Sequence, residues 1–139
     1  MPIGEFEIEK YYVAQGRFVD GPASGLLAGP VSVIDVYGEV EASGSQATAQ
    51  LLFAPAFDGG LSGDVDNVGL PAVGLRVWAN LPYEDFTRMY DILRNEAPVR
   101  LWCEYEEGTT ATRQLTMVGI SSLSNEKPGE GPADSDSVN

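Results

Sequence analysis

Between Leu75 and Ser122 the apolar positions change period twice. Leu75, Val77 and Ala79 alternate with Arg76, Trp78 and Asn80, a repeat of two that predicts a strand with unlike faces. Phe86, Met89, Tyr90 and Leu93 then fall at i, i+3, i+4 and i+7, which predicts one apolar stripe on a helix over residues 83–96. Asn80-Leu81-Pro82 reads as the helix start, with Asn accepting from an orphaned amide and Pro in the first turn. Glu84 and Asp85 follow, at the positive end of the dipole. Asn95-Glu96-Ala97-Pro98 ends the helix, because a residue before Pro is pushed out of the helical region.

A hairpin comes next. Val99, Leu101, Cys103 and Tyr105 share one face of its first strand, and Arg100, Trp102, Glu104 and Glu106 the other. Gly108 supplies the turn, and the return strand covers residues 112–122. There Leu115 and Met117 oppose Val118 and Ile120, which calls for a bulge near 117–119 or burial of both faces.

The earlier chain reads as strands. Phe6 and Ile8 alternate with Glu5, Glu7 and Glu9, giving a charged outer face of the kind found on edge strands. Tyr11-Tyr12-Val13 breaks the alternation, Gly16 permits a bend, and Arg17-Phe18-Val19 continues the strand. Residues 20–30 are a loop by composition, with Leu26 and Leu27 expected to tuck back onto the core. Residues 31–42 carry apolar side chains on both faces, interrupted by Asp35. In the partner strand, 46–54, Ala47, Ala49, Leu51 and Phe53 line the inside. Residues 55–71 form a long irregular segment rich in Gly and Asp, and such loops are often functional.

This order predicts a mainly β (α+β) fold: a small antiparallel β-barrel or sandwich with one amphipathic α-helix before the final β-hairpin. It resembles the order of an OB-type barrel if the short strand near Leu75 extends the third strand or is extra. Residues 1–123 are expected to be one β-rich domain, and 124–139 an acidic, disordered tail.

Charge narrows the function classes. Net charge is −13, with two lysines and six arginines, and the tail accounts for only −3 of it. An acidic body disfavours nucleic-acid backbones and anionic membranes. The first ten residues do not read as a secretory signal, and no run approaches the length that spans a bilayer, so a cytoplasmic location is expected. The chain holds no histidine, which removes His-dependent triads and the usual zinc sites. Cys103, the only cysteine, is expected to be a small buried hydrophobe. No enzyme activity and no cofactor are expected.

Two groups of candidate binding residues remain. Arg76-Val77-Trp78 and Arg100-Leu101-Trp102 repeat Arg-x-Trp on either side of the helix, so Arg76, Trp78, Arg100 and Trp102 all point away from the apolar faces of their strands. If the two strands are neighbours, they form a protein contact patch or a stacking surface for bases. If the helix covers that face, both tryptophans are core. The second group is Asp58, Asp64, Asp66 and Asn67, with carboxylates two apart as calcium loops have them, though Val68 stands where an EF-hand needs Asp or Asn. The function expected first is a non-enzymatic protein-binding or assembly module, self-associating through edge strands or exposed aromatics. A single-strand nucleic-acid binder and a calcium or carbohydrate binder through the 58–67 loop are the alternatives.

Overall fold

A computed structural model describes residues 2–18, 29–40, 44–70 and 72–122. Alternation of period two produces seven strands: β1 (Ile3–Phe18), β2 (Gly29–Val40), β3 (Ser45–Ala54), β4 (Ser62–Asp66), β5 (Leu75–Pro82), β6 (Val99–Tyr105) and β7 (Arg113–Ser122). They close into a barrel in the order β1-β2-β3-β5-β4-β7-β6, with β6 pairing back onto β1. The inward set of each strand fills the barrel. Phe6, Ile34, Leu51, Phe53, Val77 and Leu101 are essentially without solvent contact, and burial of each side chain contributes roughly 1.5–3 kcal/mol.

Every pair is antiparallel except β3–β5, which run parallel from Ala47↔Leu75 to Ala54↔Pro82. A parallel pair needs a long crossover. That crossover is the Gly- and Asp-rich segment, and it is not wholly irregular. It contains a 3-10 turn at Pro55–Phe57 and the strand β4. The wall therefore has seven strands where the five-strand order has five. The stretch near Leu75 is a separate strand, and the β4–β5 pair stands between β3 and β7.

The helix α1 (Asp85–Asn95) is the single α-helix among the described residues. Its Phe86 and Leu93 are buried as the stripe requires. Phe86 meets Phe53 edge-on at 5.5 Å and stacks on Tyr90 at 5.6 Å, and Tyr90 meets Tyr11 at 6.5 Å. Phe53 and Leu81 lie near the ends of β3 and β5, so the helix closes one mouth of the barrel and does not lie across its wall. Its start differs from the expected one. Asn80 and Pro82 belong to β5, where the Asn80 amide donates to Ser62 Oγ at 3.2 Å. The N-cap is Glu84, with no side-chain cap bond.

Two bulges reconcile conflicting patterns. In β7 the register slips between Glu104↔Met117 and Tyr105↔Leu115, so Thr116 is the extra residue. Leu115 and Ile120 both turn inward, and Met117 is left 42% exposed. In β1 the slip falls between Ile8 and Lys10, where Tyr11-Tyr12-Val13 had broken the alternation. Among the described residues no helix is long and apolar enough to cross a membrane. Leu26, Leu27 and the acidic tail lie outside the described residues.

Candidate binding surface on the barrel wall

The structure separates the two Arg-x-Trp strands. Between β5 and β6 stand β4 and β7. Trp78 pairs across to Asp64, Asp64 to Gln114, and Trp102 to Gly119. Strand spacing then puts the two tryptophans roughly 20 Å apart along the wall. Neither is core beneath the helix, contrary to that reading of the sequence. Trp78 is 46% exposed. Trp102 is partly buried, and its indole lies so close over Gly119 that a Cβ there would meet the ring at 2.6 Å. Arg100 forms an ion pair with Glu5 at 3.2 Å. Arg100 and Trp102 thus belong to the β1–β6–β7 wall, and the expected four-residue surface does not form.

Half of it gains other neighbours. The outward side chains of β2, β3 and β5 align in two cross-strand rows: Asp35↔Gln50↔Trp78 and Tyr37↔Thr48↔Arg76. The first row continues to Tyr12 and the second to Lys10 on β1. Between the ends lies a shallow groove over β3, enclosing about 340 Å³ and lined by Asp35, Tyr37, Thr48, Gln50, Arg76 and Trp78. This sits at the lower end of the ~300–1,000 Å³ that small-molecule clefts span. The Arg76 guanidinium lies 4.7 Å from the Trp78 ring centroid. At the other end Lys10 Nζ lies 5.3 Å from the Tyr37 centroid, and Tyr12, 60% exposed, meets Tyr37 edge-on at 5.7 Å. Each cation is held over a ring face, an arrangement worth ~0.5–1 kcal/mol at exposed sites. Sequence reasoning missed Lys10, Tyr12, Asp35, Tyr37, Thr48 and Gln50. Tyr12 and Asp35 were read as interrupting their strands, and only the register unites the six.

The acidic group is dispersed. Asp58 follows the 3-10 turn and accepts from the Tyr83 amide at 3.2 Å. Asp64 and Asp66 are on β4, opposite Trp78 and Arg76, and Thr112 Oγ1 donates to Asp66 at 3.0 Å. Asn67 takes a left-handed turn conformation, φ 66°. Among the described residues no three carboxylates or thiols gather as a metal ion would need.

A second cleft, about 300 Å³ and more apolar, opens at the mouth opposite the helix between Ile3, Val40, Leu70, Leu75 and Tyr105.

Cys103, on β6, is fully buried in the core. Loss of solvation pushes its thiol from 9.0 up to about 11, against a smaller lowering from a backbone hydrogen bond at Gly4. The folded value lies above the unfolded one. Its contribution to stability is therefore complete below pH 9.0 and is lost as pH rises toward about 11. Alkaline denaturation should accordingly show an excess loss of stability over this window that is missing from Cys103→Ala. At neutral pH an aromatic disulfide reagent should leave the native thiol untouched and modify it fully in denaturant.

No protein-family model, curated protein or solved structure matches the chain.

Proposed function

We propose that the protein is a non-enzymatic assembly module that engages a protein partner, or a second copy of itself, along the outer edge of β1. The observation supporting this is the length of β1. It runs for 16 residues, paired to β2 as far as Phe18, while β6 covers its other side only from Ile3 to Glu7. The helix end and the start of β6 flank Ile8 to Tyr11. Beyond Tyr11, and among the described residues, no strand pairs that side.

An open edge presents backbone donors and acceptors that an incoming strand satisfies. Natural edges meant to stay alone are guarded by Pro, a bulge or several charges. Residues 12–18 hold no Pro and a single charge, Arg17, and the β1 bulge falls before them. Exposed Tyr12 adds the kind of anchor that contact patches favour.

Sedimentation velocity over a range of concentrations tests the proposal. The expected result is reversible self-association, or a partner captured by the native chain, weakened at least about tenfold by Ala14→Lys with the fold unchanged. A monodisperse monomer at every concentration that captures no protein, or association indifferent to Ala14→Lys, counts against it.

A further inference from the structure

The groove over β3 has a chemistry separate from the β1 edge. Its floor is polar and holds one carboxylate, Asp35, its two ends are aromatic rings each carrying a cation, Arg76 and Lys10, and the chain as a whole is acidic. Asp35 can only accept hydrogen bonds, Arg76 can only donate, and Gln50 and Thr48 can do both. A purely apolar ligand would strip these groups of water and return nothing.

A phosphate-bearing ligand meets Asp35 inside the groove, Asp64 directly across from Trp78, and a chain of net charge −13. An extended peptide cannot add to the sheet here, because both edges of β3 are already taken, by β2 and by β5. The ligand must therefore bring its own donors and acceptors, carry no negative charge, and offer an apolar face to an indole.

A sugar ring does all three. Its C–H face stacks on an aromatic ring, and its adjacent hydroxyls pair with a carboxylate or an amide. We propose that the groove over β3 binds a neutral oligosaccharide, with one ring against the exposed indole of Trp78 and neighbouring hydroxyls on Asp35, Gln50 and Thr48. Arg76, stacked at 4.7 Å, fixes the indole and presents N–H donors at the groove's edge. Tyr37 walls the far end, two strand spacings from Trp78, at roughly 10 Å. Trp102, on the opposite part of the wall, takes no part.

The test is tryptophan emission and calorimetry on the full chain, titrated with maltotetraose, cellotetraose and tetra-N-acetylchitotetraose. Oligothymidylate and an oligogalacturonate serve as anionic comparisons. The expected result is saturable binding of at least one neutral tetrasaccharide, insensitive to added salt, with a change in emission that persists in Trp102→Phe. Trp78→Ala should weaken it at least about tenfold, as should Asp35→Asn, with the melting profile unchanged. Absence of saturable binding by all three neutral probes at millimolar concentration overturns the proposal. So does binding that survives Trp78→Ala, or a response confined to the anionic probes that added salt abolishes. Failure of β1-edge association leaves this outcome unaffected, since Ala14→Lys lies outside the groove.

Discussion

Gly38→Ala is expected to cost about 3 kcal/mol or more, and Gly38→Val to leave no folded barrel. Gly38 is on β2 opposite Ile8, beside the β1 bulge. A Cβ at this position would run into the carbonyl oxygen of Glu7 and come within 2.8 Å of the Phe6 ring. Overpacking usually costs ~1–3 kcal/mol because side chains give way. Here the obstacle is backbone, and it can retreat only by parting β1 from β2. Urea unfolding measures the loss directly, and a fall in melting temperature on the order of 10 °C should accompany the alanine variant. Gly59→Ala is the control: nothing lies within 4 Å of its Cβ position, and a change within ~0.5 kcal/mol is expected.

Phe86→Ala is expected to cost about 3–4 kcal/mol and to release α1 from the barrel mouth. Phe86 is 8% exposed and joins Phe53 of the barrel to Tyr90 of the helix. The two exposed ion pairs on the helix, Arg88–Asp85 and Arg94–Asp91, add little. An 11-residue helix is marginal alone, so undocking should melt it. Hydrogen exchange should show the α1 amides losing protection while those of β2 and β3 keep theirs. Uniform loss across both would mean that helix and barrel unfold as one unit.

How far the fold was legible depended on the range of the signal. The stripe Phe86-Met89-Tyr90-Leu93 and the alternation in β3, β5 and β6 are local, and burial follows them, fully at Phe86 and Leu93 and in part at Met89 and Tyr90. The strand β4 was not legible. In Ser62-Gly63-Asp64-Val65-Asp66 a single residue, Val65, is buried, too few to show a period, and glycine with aspartate reads as a turn. Gly63 sits at φ 149°, tight against the Trp78 carbonyl, a close approach that needs glycine and carries no hydrophobic mark. The Asn80-Leu81-Pro82 cap failed for a related reason. Leu81 is 4% exposed, and its burial holds the chain in β5 past the point where local preference would begin the helix.

The binding surface was half legible. Trp78 and Arg76 were visible as an outward pair. Their partners Tyr37, Thr48, Gln50 and Asp35 come from β2 and β3, and the parallel β3–β5 register that aligns them is not encoded in any one segment. The same ignorance of strand order made Arg100 and Trp102 look like companions of Arg76 and Trp78. Two intervening strands part them.

The seam between β1 and β6 joins Ile3–Glu7 to Arg100–Glu104, residues from opposite ends of the folded chain. A growing polypeptide must carry its first strand unzipped on that side until Glu104 has emerged, with Phe6 lacking its far wall throughout. β7 then shuts the ring by pairing with both β6 and β4, and the interval before β6 arrives is when the first strand is most open to capture by a neighbour.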